Sequence, residues 1–326
     1  MNTIINHRLR TMAIPVGLIL ILMLGITGCS EHDPRLNTPT SGRMVLYVEE
    51  GYAPLFRPLV DSFQVRTPAT SIEIREIDAR QGVTRLLNDF IADTSRADTS
   101  TSVALIMARR LLDDERDAIM SRGLEDVLYE MTIGYDALAV AVPENSPLQQ
   151  TTVEQLREGL RIEGRTSEVL QEGTGGETAR FIFPGVNSSV FRFVQENLLD
   201  SAAQPAPQVM AVGTVDSLVD LVAAGQGIGI AGWYPMQRDG KAIRILELGG
   251  RDTNGAEMRP VRVHITSLVM GLYPLKLPIV GYTLGGRNSL GNGFLNWIAL
   301  SSGPQQHLVN QGVEGENIRY RFEREE

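Results

Sequence analysis

The stretch Gly134-Tyr135-Asp136-Ala137-Leu138-Ala139-Val140-Ala141-Val142 is apolar at nearly every position. Alternating polarity marks a strand with one wet face, whereas a continuous apolar run suits a strand covered on both faces, as in α/β sheets. The run ends at Pro143-Glu144-Asn145-Ser146-Pro147, a turn by composition. Thr152-Val153-Glu154-Gln155-Leu156 then opens a helix, with Thr152 as N-cap and Gln155 placed to complete a capping box.

The same grammar extends in both directions. Upstream, Met44-Val45-Leu46-Tyr47-Val48 reads as a buried strand, and a helical pattern follows with Pro54 in its first turn and apolar residues at Leu55, Leu59, Val60 and Phe63. A strand from Ser71 to Ile77, a helix from Gln81 to Ile91 and a strand from Val103 to Met107 come next. Downstream, Glu172 to Glu177 (EGTGGE) reads as a glycine-rich loop, and Asn187-Ser188-Ser189 precedes a helix carrying Val190, Phe193, Val194 and Leu198. A helix from Val215 to Ala224 leads into the strand Ile228 to Ala231, and a further strand runs from Ile243 to Leu248. A polar loop from Gly249 to Glu257, an apolar run from Val261 to Leu268 with His264 in an alternating strand, and a strand from Leu275 to Leu284 follow. Helices from Gly293 to Ser301 and from Gln305 to Gln311 close the chain. Strands alternating with helices imply parallel pairing in an open α/β sheet.

Composition narrows the chemistry. The chain has 326 residues, enough for two domains, with 43% hydrophobic and 21% charged residues, which excludes a fibrous or long disordered chain. Its single cysteine excludes an intrachain disulfide or a CxxC metal site, and the four histidines (His7, His32, His264, His307) form no close pair. No metal and no cofactor are expected. A formal charge of -9 without a basic block makes nucleic acid a poor partner.

The first 28 residues have the order of a secretory signal: basic His7, Arg8 and Arg10, then the apolar stretch Met12 to Leu24, then small residues. Thirteen apolar residues are fewer than the roughly 20 needed to span a bilayer as a helix. Ile26-Thr27-Gly28-Cys29 resembles a bacterial lipobox, in which Cys29 would be lipidated and become the first mature residue. Cleavage there removes two arginines and no acid, leaving the mature chain more negative still. Residues 29–42, polar with prolines, read as a tether. The protein is thus expected on the extracytoplasmic side of the cell envelope, in the periplasm or at the outer membrane, held by lipid.

Few motifs point to catalysis. Gly225-Gln226-Gly227-Ile228-Gly229-Ile230-Ala231-Gly232 follows a helix and opens a strand, the reverse of a dinucleotide fingerprint. No GxSxG elbow is present. The better constellation is a pair of helix starts, Gly51-Tyr52 and Asn187-Ser188-Ser189, where free N–H groups and the helix dipole favour an anion, although Ser and Asn are also ordinary N-caps. Arg109-Arg110, just after a strand, adds to the site if it faces the same cleft.

Four stretches together resemble the substrate-binding proteins of bacterial phosphate ABC transporters. Met107-Ala108-Arg109-Arg110-Leu111-Leu112-Asp113-Asp114-Glu115 resembles that family's MASRxLxDEE segment, and Gly134 to Leu156 its YDALAVVV strand, turn and helix. Asn187-Ser188-Ser189-Val190-Phe191-Arg192-Phe193 resembles the NSSTxRFF ligand loop, and Tyr273 to Gln305 the closing YPLxR and GFL region. The resemblance implies a two-lobed periplasmic-binding-protein-like fold of type II, with two hinge crossings and ligand in the cleft between the lobes. It places the first part of lobe one at 43–135, lobe two at 136–274 and the second part of lobe one at 275–326. It also implies inorganic phosphate or a similar anion as ligand, an ABC permease and ATPase as partners, and ligand contacts from Gly51, Tyr52, Arg109, Arg110, Asn187, Ser188 and Ser189.

The chain departs from that pattern in ways that leave a second reading open. Glu50-Gly51-Tyr52 stands where the family offers hydroxyls, Arg109 replaces a serine, and Val190 replaces a threonine. Glu49 and Glu50 oppose any anion unless they point away. A lipid-anchored sensor or interaction protein with the same fold and a changed ligand is the alternative. An extracellular hydrolase has no assembled nucleophile in its favour.

Overall fold

The computed structural model describes residues 37–94, 101–161, 180–199, 209–237, 241–251 and 254–318. Cys29, the signal-like segment and the glycine-rich stretch 172–177 lie outside the described residues.

The first lobe begins with β1 (Gly42–Glu49), α1 (Ala53–Arg66), β2 (Thr70–Ile77), α2 (Ala79–Thr94), β3 (Thr101–Met107) and α3 (Asp113–Met120). Strands β1, β2 and β3 are parallel, with β1 in the middle. Helix α1 carries Pro58 in its interior, a cost of about 3 kcal/mol. It also buries Leu55, Phe56, Leu59, Val60 and Phe63, and at roughly 1.5–3 kcal/mol per side chain that burial outweighs the proline.

β4 (Leu128–Pro143) contains the apolar stretch Gly134 to Val142 and is longer than expected. After it come β5 (Gln150–Thr152) and α4 (Val153–Arg161), whose capping box forms as expected: the Gln155 N–H donates to Thr152 Oγ1 at 3.2 Å, and the Thr152 N–H to Gln155 Oε1 at 2.9 Å. The second lobe continues with β6 (Phe181–Phe183), α5 (Ser189–Asn197), β7 (Val209–Ala211), α6 (Val215–Ala223), β8 (Ile228–Gly232) and α7 (Trp233–Met236). β9 (Ile243–Ile245), β10 (Glu247–Arg251), β11 (Glu257–Val261) and α8 (Ile265–Val269) precede the return strand β12 (Lys276–Leu284). α9 (Leu290–Leu300), α10 (Ser302–Asn310) and β13 (Glu314–Gly315) end the described chain.

One sheet runs through both lobes in the order β2-β1-β3-β12-β4-β8-β6-β7, with β9 and β13 also paired to β4. β4 and β12 are the two crossings: residues Leu128 to Ala137 of β4 pair antiparallel with β12, and Leu138 to Ala141 pair with β8 in the second lobe. The alternation along each strand explains the four hydrophobic clusters. Leu138, Val140 and Val142 face one side of the second lobe, and Ala139 and Ala141 the other. Met44, Leu46 and Val48 face one side of the first lobe, and Tyr47 the other.

Three local expectations are corrected. The expected single strand Ile243 to Leu248 is two strands in different sheets, β9 on β4 and β10 on β5 and β11. The expected loop 249–257 is strand at both ends, 249–251 and 257, because β10 and β11 form an antiparallel pair. His264 is not in a strand; it caps α8, its Nδ1 accepting the Thr266 N–H at 3.2 Å. The described end of the expected tether is docked: Asn37 Oδ1 accepts the Leu290 N–H at 2.8 Å, and its Nδ2 donates to Ser102 Oγ at 2.9 Å.

Candidate functional site

The carboxyl ends of β1 and β3 meet the first turn of α5, so three chain segments converge between the lobes. Glu49, the last residue of β1, is only 4% exposed. Its Oε1 accepts the Ser189 N–H at 2.7 Å, and its Oε2 accepts the Ala108 N–H at 2.8 Å and the Ser189 hydroxyl at 2.5 Å. Ser189 is the first residue of α5, where the N–H has no acceptor within the helix and the dipole favours negative charge. Burial holds the Glu49 carboxyl above its ordinary range, opposed by the Ala108 and Ser189 hydrogen bonds and the nearby Arg109 charge.

Glu50 makes a parallel contact one residue later. Its Oε2 accepts the Val215 N–H, at the start of α6, at 3.2 Å. Gly51 follows with φ +85, a conformation that favours glycine, and a Cβ there would stand 2.9 Å from Pro235 Cβ on the second lobe.

Tyr52 reaches the hinge. Its hydroxyl donates to Asp136 Oδ2 at 2.7 Å, and the ring stacks on Tyr234 with centroids 6.1 Å apart. Asp136, fully buried in β4, also accepts the Ala137 N–H at 2.8 Å and the Tyr234 N–H at 3.2 Å. Burial pushes Asp136 up to about 6 in spite of these donors. Burial, with the Asp136 and Glu49 charges, also raises the Tyr52 hydroxyl well above its usual value. Gly232 admits this contact, since a Cβ there would lie 2.8 Å from Asp136 Oδ2 and closer still to the Tyr52 hydroxyl.

A cavity of about 230 Å³ adjoins the Glu49 carboxylate, lined by Glu50, Asp78, Asn187, Ser188 and Val190 among others. Glu49, Glu50 and Asp78 are the three acids among its described lining residues. The structure therefore gathers Gly51, Tyr52, Asn187, Ser188 and Ser189 at the cleft. Within that group Ser188 is an ordinary N-cap: its Oγ accepts the Phe191 N–H at 3.2 Å and donates to the Gly185 carbonyl at 2.7 Å.

Arg109 and Arg110 do not join the group, which corrects their expected orientation toward it. The buried Arg109 guanidinium places Nη1 and Nη2 each 2.7 Å from an oxygen of Glu115, and Nη1 also donates to the Arg110 carbonyl at 2.9 Å. Glu115 stands in the first turn of α3 and accepts the Leu112 N–H at 3.0 Å, so the arginine is drawn onto its own lobe. Arg110 donates to Glu130 at 2.7 Å. Both arginines border a separate groove of about 700 Å³ that also includes Arg192.

Reading the sequence missed Glu49 as a partner of Ser189, and Asp136 altogether. The signal for Asp136 was a lone carboxylate inside an otherwise apolar strand, a placement that burial makes costly unless donors surround it. Among the described residues, no group of three or more His, Cys, Asp or Glu could hold a metal ion. No helix among them is long and apolar enough to cross a membrane.

Two α/β lobes joined by two crossing strands, with polar groups converging between them, define a bilobal binding-protein fold. A profile of the PBP superfamily domain matches residues 35–302, and the chain belongs to that superfamily. A Clostridium perfringens protein assigned as a phosphate ABC transporter substrate-binding protein, solved with bound phosphate, is 17% identical, with a TM-score of 0.61 over 84% of this chain and 99% of that one. An ABC-type phosphate transport receptor from Vibrio cholerae is 14% identical, with a TM-score of 0.55 over 83% and 99%. The CcmR regulatory domain of Synechocystis, in complex with 2-PG, is 15% identical, with a TM-score of 0.51 over 79% and 96%. At these identities the likeness is one of fold. No curated protein matches the chain in sequence.

Proposed function

We propose that the chain is an extracytoplasmic solute-binding protein that captures an inorganic oxyanion, phosphate first, between its lobes for an ABC importer, and that a lipid on Cys29 holds it to the membrane. The observation that carries this reading is the convergence of the Ala108 N–H, the Ser189 N–H and the Ser189 hydroxyl at 2.5–2.8 Å on one pair of carboxylate oxygens. Uncharged donors from both lobes, one set at a helix start, are what a desolvated oxyanion requires. Ala108 belongs to the first lobe and Ser189 to the second, so an anion held by both favours the closed arrangement, the condition for capture by hinge closure. The transport receptors of the same fold with phosphate in their descriptions support phosphate as the first ligand to test.

The protein acts in this reading by binding and not by catalysis. His264 Nδ1 accepts the Thr266 N–H at 3.2 Å and His307 Nε2 donates to the Leu55 carbonyl at 3.0 Å, so one ring nitrogen of each is given to backbone rather than to the cleft. Calorimetric titration of phosphate, sulfate and molybdate is the test. Saturable binding of one of them is expected, and no binding of any at millimolar concentration overturns the importer reading for the native chain.

A specific observation favours a second reading, a lipid-anchored sensor or interaction protein with a changed ligand. Glu49, Glu50 and Asp78 are among the described residues that line the cavity, and a regulatory domain shares the fold. Deleting the protein distinguishes the two: loss of oxyanion uptake supports transport, and normal uptake with altered expression or assembly supports sensing.

A further inference from the structure

The donors that make the cleft an oxyanion seat are all in use. Both carboxylate oxygens of Glu49 are engaged, and together they take every one of the three convergent donors. Ser189 is fully buried and Glu49 is 4% exposed, so a second anion has no access to those donors while the side chain stays in place.

We propose that Glu49 is the resident occupant of the oxyanion seat, an internal ligand that holds the lobes together in the absence of solute and determines which solutes can enter. The proposal rests on the oxyanion reading of the seat and adds the identity of its competitor. Glu49 comes from the first lobe and Ser189 from the second, so the contact spans the cleft as a bound solute would. Glu50 supports it by meeting the start of a second helix of the same lobe, at Val215. Gly51 lets the loop lie against Pro235, and Tyr52 is fixed to Asp136 behind it. Four consecutive residues, Glu49 to Tyr52, thus press one loop of the first lobe into the second. A solute gains the seat only when this loop lifts, and it must offer the three donors a better partner than a carboxylate already tethered beside them.

Competition with a tethered group lowers apparent affinity by the fraction of time that the seat is vacant. Minor states of this kind are populated at about 0.1–10%, so removing the competitor should tighten oxyanion binding by about 10- to 1000-fold. The experiment compares native protein, Glu49→Ala and Glu49→Gln. Calorimetry reads the affinity of each for phosphate, sulfate and molybdate, and small-angle X-ray scattering reads lobe closure in oxyanion-free buffer. The expected result is tighter binding of at least one ion by Glu49→Ala, together with a larger radius of gyration that returns to the native value when the ion is added. Glu49→Gln keeps the volume and loses the charge, so a fold defect from the smaller side chain would be absent from it, while binding still tightens. Equal affinity in all three proteins overturns the proposal, and so does a Glu49→Ala protein that scatters as the native one does without oxyanion. If none of the ions binds any of the proteins, the oxyanion reading falls. The scattering of Glu49→Ala still decides the occupant: opening upholds an internal clasp, and no change rejects it.

Discussion

Replacing Asp136 by asparagine probes the most deeply buried charge at the hinge. Burial moves this carboxyl from its ordinary 3.8 to about 6, and the side chain has no exposure that would screen the effect. One pKa unit is about 1.4 kcal/mol, so ionising Asp136 costs about 3 kcal/mol more in the folded chain than in the unfolded one. Between the two values the folded state keeps the proton and the unfolded state has lost it, so stability falls as pH rises. The contribution of Asp136 is complete below about pH 4 and gone above about pH 7. Asparagine does not ionise. Its amide group meets the surrounding donors poorly, but that loss is the same at every pH. The stability of the native protein minus that of Asp136→Asn should therefore drop by about 3 kcal/mol from pH 4 to pH 7, with the other acids cancelling in the difference. Urea unfolding at a series of pH values measures it. A difference that stays flat or grows with pH would refute the claim that burial dominates this group.

Other consequences can be checked in the same preparations. Tyr52→Phe removes a donor that lowers Asp136, so the pH midpoint of that stability difference should move upward; a downward move contradicts the assigned hydrogen bond. Arg109→Ala removes the bidentate partner of the buried Glu115 but leaves Arg80 Nη1 3.2 Å from it, so the cost in urea unfolding should fall below the roughly 3–5 kcal/mol of a wholly unpaired buried charge, at about 2–3 kcal/mol. Arg110 is 58% exposed in its side chain, so Arg110→Ala should cost less than about 1 kcal/mol and leave oxyanion affinity as it was. Gly232→Ala drives a methyl group toward the Tyr52 hydroxyl and Asp136, and a loss of about 1–3 kcal/mol is expected in thermal or urea unfolding.

Most of the fold was legible because its signals are local. The apolar stretch in β4, the proline at the start of α1 and the Thr152–Gln155 capping box each depend on residues a few positions apart, and each appears as read. Where a segment's partner lies far away in sequence, the reading failed. Nothing within residues 243 to 248 says that the chain changes sheets at Leu246, because that depends on β4 and β5 elsewhere. The site divides in the same way. Asn187-Ser188-Ser189 announces a helix start, but which of its hydroxyls caps the helix and which turns to the cleft is settled by Glu49, 140 residues away. The Arg109-Arg110 pair looked available for an anion, yet a glutamate six residues on already matched it. The use of first-lobe carboxylates as acceptors for N–H groups of the second lobe is not legible in sequence, because it needs the lobes in contact.

Asn37 is docked at the opposite end of the first lobe from Glu49. It joins the start of α9 to Ser102 near the start of β3, whereas Glu49 lies at the far end of the eight-residue β1, about 25 Å away along the strand. A lipid on Cys29 would lie eight residues upstream of Asn37, a reach of at most about 29 Å however those residues run. A lipid held there would set the seat one strand's length beyond the anchoring point, and because the line to the lipid is as long as that strand, the body would be free to pivot and bring the seat toward the membrane or carry it outward.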